Sequence, residues 1–372
     1  MSVRAKRHSE GDGAPAAVGD PRVSVLMAVH NGERFLREAL DSLLAQTLED
    51  FELVVVDDGS TDGTGAILAS YAARDRRLVV VRNEGNLRLP ASLNRGLEHC
   101  RASLVARADA DDVYHPERLE RQVAFMEAHP EVGVASCAYQ RTDAQGRIIG
   151  TVRPPTDDGV IRFRQLFING FLHPGVVFRV SLVRAVGGYD TDYWTAQDSD
   201  LWARVRDRTR LANLPEPLVR YRVHTSSTMR TRGGEGRALS LSVPRRLLSA
   251  YLERPLSLEE AEAIVTLYQG FEWMESNAIA RGRQGLRDVL QRARRREAPG
   301  VVRYFKREVG RSLAKQARYQ GGSHRSLSRA LFAEALWWSP RLVRSSEIIK
   351  QAVRLTVPGT AWDSLRALLK AS

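Results

Sequence analysis

Over its first hundred residues the chain alternates short apolar runs with stretches of helical periodicity. Arg22 to Val29 and Phe51 to Val56 are apolar and rich in β-branched side chains, the pattern of strands buried on both faces. Between them, Glu33 to Gln46 sets Phe35, Leu36, Leu40, Leu43 and Leu44 at helical spacing, with Glu33, Arg37, Glu38 and Asp41 mainly on the other side. The alternation continues with a helix over Thr64–Ala73, a strand over Leu78–Arg82, a helix over Pro90–Cys100 and a strand over Leu104–Ala108. This order predicts an α/β fold, a mostly parallel, Rossmann-like sheet with helices on both faces, whose ligands lie at the carboxyl ends of the strands.

Beyond about Arg230 the strand-like runs stop. Arg232 to Gly236 reads as a flexible joint, and helices are expected over Leu258–Met274, Val301–Tyr319, Arg325–Trp338 and Leu342–Leu355, punctuated by Gly321-Gly322, Pro340 and Pro358. The pair flanking Gly321-Gly322 loosely resembles one tetratricopeptide-type hairpin, with no second copy at that period. The expected division is a disordered tail over residues 1–20, an α/β domain over 21–230 and a basic α-helical region over 231–372. The tail lacks the apolar stretch of a secretory signal, and no run reaches the roughly 18 to 20 apolar residues of a spanning helix, so a cytoplasmic location is expected.

Charge divides at the same place. Residues 1–228 hold 29 basic and 31 acidic side chains, and residues 229–372 hold 27 and 13, so the net charge of +12 resides in the C-terminal part. Within 281–372 the balance is 21 to 6. A solvated helical face accounts for this, and so does peripheral attachment to an anionic membrane at its inner face. Arg341, Arg344, Lys350 and Arg354 recur at near-helical spacing beside Leu342, Val343, Ile348, Ile349 and Val353, and Trp337, Trp338 and Trp362 suit an interface. No nucleic-acid-binding module accompanies the charge, so nucleic acid is not an expected partner. The two cysteines, Cys100 and Cys137, have no metal or redox motif around them and read as reduced structural thiols.

Two strands end in acids. Val56-Asp57-Asp58-Gly59-Ser60 places carboxylates where a nucleobase or ribose hydroxyl could be bound, although an ordinary Asp-Gly turn looks the same. Arg107-Ala108-Asp109-Ala110-Asp111-Asp112 crowds three carboxylates into four residues, which is unfavourable unless they share a cation. Magnesium or manganese, bound by one or two carboxylates together with phosphate oxygens, would relieve that repulsion. Solvated loop acids are the other reading.

In this order and separation, the two strand ends resemble glycosyltransferase family 2, whose members use the GT-A fold and move a sugar from a nucleotide-diphosphate donor with inversion. The resemblance spans about Val23 to Ser227. It includes Val23 to Gly32, Val56 to Thr64, Asn86, Ala91 to Gly96, Arg107 to Asp112 with Pro116 and Arg118-Leu119, Gly187 to Asp190, Gln197 to Trp202 and Tyr221 to His224. It implies a three-layer α/β/α sandwich with a C-terminal helical appendage. It also implies a donor site formed by Ala28, His30, Asn31, Asp57, Asp58, Asn94, Arg107, Asp109, Ala110 and Asp111. Asp109 and Asp111 would hold Mn2+ or Mg2+ on the diphosphate, with His224 a further candidate ligand. Asp198 would be the general base, and His173, Trp194, Gln197 and His224 would face the acceptor or diphosphate. Trp194 and Trp202 offer apolar surface beside Asp198 that could stack on a sugar. A helix cap at Asp198, for a helix starting at Ser199, is the plainer reading of that residue.

The expected activity is therefore transfer of a sugar, from a UDP-sugar, to a hydroxyl of a glycan or lipid-linked acceptor in cell-surface or extracellular polysaccharide synthesis. Three positions depart from the family pattern: Ala28 stands for a usual proline, His30 for a usual tyrosine and Arg88 for a glycine, and the polar His30 bears on base stacking and so on nucleotide choice. The Gln-x-x-Arg-Trp signature of processive members is missing, so one sugar per encounter is expected. A sugar-phosphate nucleotidyltransferase, which would release pyrophosphate instead of a nucleoside diphosphate, and a non-catalytic nucleotide-sugar binder are the rival functions. The first lacks the Gly-rich phosphate loop after the first strand.

Overall fold

Four strands carry the parallel half of the sheet: β1 (Val23–Val29), β2 (Phe51–Asp57), β3 (Leu78–Arg82) and β4 (Leu104–Ala108). The computed structural model describes residues 21–224, 234–270, 273–320 and 324–344. β1 lies between β2 and β4, with Val29 opposite Asp57 and Met27 opposite Ala108, so the carboxyl ends of three strands are level. Alternate residues divide between two cores. Val23, Val25 and Met27 face the layer of α1 (Leu36–Leu44), α2 (Thr64–Ala72) and α4 (Arg118–Ala128), whereas Leu26, Val54 and Val56 share a core with Leu93 and Leu97 of α3 (Leu89–His99) and with Leu201 and Trp202.

The second half of the sheet is mixed, unlike the mostly parallel sheet the alternation predicts. It is built from β5 (Val113–Tyr114), β6 (Val132–Thr142), β7 (Ile148–Val152), β8 (Val177–Arg179) and β9 (Arg210–Arg222), giving the order β3-β2-β1-β4-β8-β6-β9-β5 with β7 on β6. β8 runs antiparallel to β4 and β6, while β6 and β9 are parallel to each other. Besides α4, which follows β5, three helices lie among these strands: α5 (Asp158–Arg164), α6 (Val180–Arg184) and α7 (Gln197–Val205). β5 pairs with the end of β9, Val113 opposite Arg220, and so returns the chain after β9 to the carboxyl end of β4.

The C-terminal region holds α8 (Gly234–Leu252), α9 (Leu258–Gln269), α10 (Ser276–Arg296), α11 (Pro299–Gln320) and α12 (Arg325–Trp338), followed by a 3-10 turn over Pro340–Arg344. Gly234 to Gly236, expected in a flexible joint, already belong to α8. α9 opens with a capping box between Ser257 and Glu260 and stops at Gly270, whose φ of 64° ends the helix before Met274. α8 and α10 have no counterpart in the periodicity reading, because Gly236 and Pro244 interrupt one and Gly282 and Gly285 the other. In α10 those glycines permit close packing: a Cβ at Gly282 would stand 2.5 Å from the Ala263 carbonyl oxygen on α9.

These helices share a third core that also takes in Val160, Phe163, Leu166 and Phe167 from the α5 segment. Phe163 and Phe167 pack on Phe305 of α11, which in turn meets the edge of Trp338. Trp338 is 1% exposed and Leu342 is buried, so neither can enter a membrane interface as the sequence reading had it; Trp337, 57% exposed, faces solvent. Residues 1–20 and the segment with Ile348, Ile349, Lys350, Val353, Arg354 and Trp362 lie outside the described residues, as does most of the expected Leu342–Leu355 helix. Trp338→Ala is expected to cost about 3–5 kcal/mol in denaturant unfolding, and Trp337→Ala under about 1 kcal/mol, because only the first leaves a core cavity. Equal costs would contradict this packing.

Candidate active site

The loops after β1 and β2 are stitched together by polar contacts. Asn31, at a φ of 52°, gives its backbone N–H to Ser60 Oγ (3.0 Å) and accepts from Thr61 N–H (2.9 Å) on its side-chain oxygen. His30 Nδ1 lies 2.8 Å from the Asp58 carbonyl, and Gly32 N–H donates to Thr64 Oγ1. Asp57 accepts from Ser60 N–H (3.0 Å), with Arg82 3.8 Å from its other oxygen. Asp58 accepts from the Asn83 amide (2.7 Å) and Leu87 N–H (2.8 Å), which draws the β3–α3 loop over β2. Gly59 is required there: a Cβ would meet the Gly85 backbone at 2.5 Å, and its φ is 67°. Both aspartates are buried and already hydrogen-bonded within the protein.

At the end of β4, oxygens of Asp109, Asp111 and Asp112 lie within 4.8 Å of one another. Asp109 accepts from Arg107 Nη2 at 2.5 Å, and Arg107 is 0% exposed, so it is a buried support for Asp109 and not a surface to which a donor has direct access. His224 Nε2 lies 2.9 Å from Asp111 Oδ2. Arg222, which sequence reasoning passed over, organises the rest. Its N–H donates to Asp112 Oδ1 (2.8 Å), its Nε to the Asp111 carbonyl (2.8 Å) and its Nη2 to Glu38 (2.6 Å), while its guanidinium covers Phe35. Asp112 Oδ2 is buried without a hydrogen-bond partner. Burial, followed by repulsion from the neighbouring aspartates, raises the pKa of Asp111 and, more strongly, Asp112. A crowded oxygen donor set with an orphaned buried oxygen fits a hard divalent cation.

Asp198 stands in the first turn of α7, which starts at Gln197 with Ala196 as its N-cap at a φ of 62°. The plainer reading of Asp198 as the cap of a helix from Ser199 is thereby corrected. Its Oδ2 accepts from the Asn169 amide (2.6 Å) and its Oδ1 from Ser199 N–H (2.8 Å). Trp202 is not a sugar platform: it is fully buried, with Phe171, Phe178 and His173 around it. Trp194 is half-buried and Gln197 buried. His173 is buried with Nε2 3.0 Å from the Tyr189 hydroxyl; burial, aided by the nearby Arg107 charge, pushes its pKa well down, so it is neutral. Burial raises the pKa of Tyr189; the Arg107 charge opposes this, and Asp198 and Asp109 add to it. Asn94 clamps the Tyr189 backbone by accepting from its N–H (2.8 Å) and donating to its carbonyl (2.7 Å).

α7 is also tied to the helical region. Buried Asp200 accepts from Arg204 Nε (2.7 Å) and from Arg246 Nη2 of α8 (2.8 Å), and Arg204 donates to the Val186 and Gly188 carbonyls.

Because the pKa values of Asp111 and Asp112 are raised, the stability they contribute is complete below the ordinary carboxylate range and is lost as the pH rises through the raised values. Mn2+ is therefore expected to raise the melting temperature by several degrees near neutral pH and by much less at about pH 5, where protons compete. The shift should vanish in Asp109→Asn/Asp111→Asn. A shift independent of pH, or one retained in the variant, would place the ion elsewhere.

A family model described as Glycosyl transferase family 2 matches residues 24–187. EpsE of Bacillus subtilis (strain 168), a protein named for glycosyltransferase activity, is 34% identical over 252 residues, 66% of this chain and 86% of EpsE. The amylovoran biosynthesis glycosyltransferase AmsE of Erwinia amylovora is 36% identical over 213 residues, 56% of this chain and 79% of AmsE. Among solved structures, S. aureus TarS in complex with UDP-GlcNAc has a TM-score of 0.54 at 19% identity, covering 87% of this chain and 91% of that one. The mannosyltransferase PcManGT from Pyrobaculum calidifontis, in complex with GDP-Man and Mn2+, has a TM-score of 0.51 at 21% identity, covering 86% and 88%. These structural likenesses speak for the fold, an α/β sheet with flanking helices and a helical C-terminal region. The family model and the relatives, which this chain covers over most of their own length, make the chain a glycosyltransferase, a member of glycosyltransferase family 2.

Proposed function

We propose that the chain transfers one sugar, with inversion, from a nucleotide-diphosphate donor to a hydroxyl of a glycan or lipid-linked acceptor, in the synthesis of a cell-surface or extracellular polysaccharide. The observation that carries this reading is the Asp109-Asp111-Asp112 cluster at the end of β4, whose carboxylate oxygens lie within 4.8 Å of one another and include a buried Asp112 oxygen with no hydrogen-bond partner. A UDP-sugar is the proposed donor, supported by the UDP-GlcNAc bound by TarS. His30, Asn31, Asp57, Asp58 and the backbone around Ala28 and Ala110 border its nucleoside and diphosphate in this reading, with Asn94 and Arg107 acting from behind.

Asp109 and Asp111 would hold Mn2+ or Mg2+, with His224 adjoining through Asp111; the Mn2+ of PcManGT supports the choice of ion. When bound, such a cation neutralises charge on the diphosphate as it departs. Asp198 accepts the proton of the acceptor hydroxyl as the oxygen–C1 bond forms and the C1–oxygen bond to the diphosphate breaks, the bonding pair leaving with the nucleoside diphosphate. The Asn169 amide and Ser199 N–H fix both carboxylate oxygens, so Asp198 is held in one orientation. A single base and a good leaving group suffice for one displacement, without a covalent intermediate on the protein. Residues 21–230 carry this chemistry, and 231–372 support it and meet the surroundings.

Peripheral attachment to an anionic membrane is part of the proposal. Among the described residues no helix is long and apolar enough to cross a bilayer. α11, however, exposes Arg303, Arg307, Arg311, Lys315 and Arg318 along one face, with Lys306 Nζ 5.7 Å from the ring of exposed Trp337. Clustered cations beside an interfacial aromatic suit an anionic lipid surface.

Asp198→Asn is expected to lower turnover about 100- to 10,000-fold while leaving UDP binding within about twofold, measured by nucleoside diphosphate release and calorimetry. Unchanged turnover would remove Asp198 from the mechanism. Flotation with phosphatidylglycerol vesicles should be lost in Arg303→Glu/Arg311→Glu/Lys315→Glu and absent for neutral vesicles; flotation unaffected by the triple change would dismiss the α11 surface.

A further inference from the structure

Among the described residues, four that are not glycine hold a positive φ, and three of these, Asn31, Arg88 and Ala196, stand on loops bordering the site. Asn31 and Ala196 (φ 62°, ψ 19°) are near the left-handed helical region. Arg88 is different. Its φ of 69° and ψ of 161° belong to a region that is essentially restricted to glycine and strained for any side chain.

Contacts on both sides of Arg88 hold the backbone there. Asp58 accepts from Leu87 N–H at 2.8 Å, Asn86 Oδ1 accepts from Arg88 N–H at 2.9 Å, and the Arg88 carbonyl accepts from Ser92 N–H in the first turn of α3. Glycine would make all three contacts without strain, so the fold itself does not call for arginine. What arginine adds is an exposed side chain whose guanidinium carbon lies 6.0 Å from the centre of the Trp194 ring. Among the described residues Arg88 forms no ion pair. Trp194 lies on the segment that leads into α7 and Asp198. The Arg88 side chain therefore reaches from the loop pinned to Asp58 across to the segment that leads into the helix of the proposed base.

We propose that Arg88 and Trp194 form an acceptor subsite that recognises an anionic group, a phosphate or a carboxylate, next to the hydroxyl delivered to Asp198. The assignment of this side of the cleft to the acceptor rests on the reading of Asp198 as base. A guanidinium matches either oxyanion with two parallel hydrogen bonds, and with no protein carboxylate paired to it the charge is available to a ligand. The indole face supports the guanidinium by cation–π attraction and offers a surface to a sugar ring. Arg88 is in this account a specificity-determining residue and takes no part in bond making.

The test is saturation-transfer NMR on the full chain with UDP and Mn2+ present, using glucose, glucose 6-phosphate and glucuronate as probes. Either or both anionic probes should bind at least about fivefold more tightly than glucose, and the comparison of the two separates phosphate from carboxylate recognition. Arg88→Gly should abolish this preference, Arg88→Lys should keep part of it, and Trp194→Leu should weaken all three probes. UDP affinity should not change in Arg88→Gly, and its melting temperature should stay level or rise, because strain is relieved. Equal preference in wild type and Arg88→Gly, a matching loss of UDP affinity, or a melting temperature lowered by several degrees would each overturn the proposal. The binding readout needs no turnover, so it stands apart from the Asp198→Asn result: an active Asp198→Asn enzyme removes the base assignment, whereas a lost probe preference in wild type removes this one.

Discussion

Three carboxylates crowded at the end of one buried strand set the terms for the surrounding structure. Left alone, Asp109, Asp111 and Asp112 would repel one another at a half-buried site, and the fold answers by surrounding them with hydrogen-bonding groups. Arg107 supports Asp109 from beneath, while the Arg222 backbone N–H and the His224 ring, brought there at the end of β9, meet Asp112 and Asp111. The β5–β9 pairing brings them there, and Arg222 extends the network to Glu38 of α1. The mixed half of the sheet thus completes an acidic site whose carboxylates belong to the parallel half.

The second acidic group depends on a different set of restraints. α7 is fixed by Asn169 at Asp198, by Arg204 on the Val186 and Gly188 carbonyls, and by Arg246 of α8 at Asp200. Asn94 joins the α3 side to Tyr189, whose hydroxyl in turn lies 3.0 Å from His173 Nε2. The helical region is consequently part of the frame that positions α7. The sharing of Val160, Phe163 and Phe167 with its core points the same way.

The parallel strands were legible because strands buried on both faces leave continuous β-branched runs, and acids just beyond such runs mark the ligand edge of the sheet. β5 to β9 were not, because their pairings join distant segments and short strands carry little periodicity. The partners of Asp198 were hidden for the same reason: Asn169 meets it only through the fold. Trp194 and Trp202 look alike along the chain, yet the start of α7 between them sends one into the core and leaves the other half-buried. Trp337 and Trp338 separate in the same way, since adjacent residues on a helix point about 100° apart. Arg88 could be noticed as a departure from a glycine, but its backbone strain and its approach to Trp194 required coordinates.

The proposed donor site turns on a cation seated at the end of β4. Anomalous scattering at the manganese edge, from crystals grown with UDP and Mn2+, locates that ion. One strong peak is expected in contact with Asp109 and Asp111 and with the diphosphate oxygens. A nucleotide bound with no manganese peak at these carboxylates, or with the peak at another site, would rule that seat out.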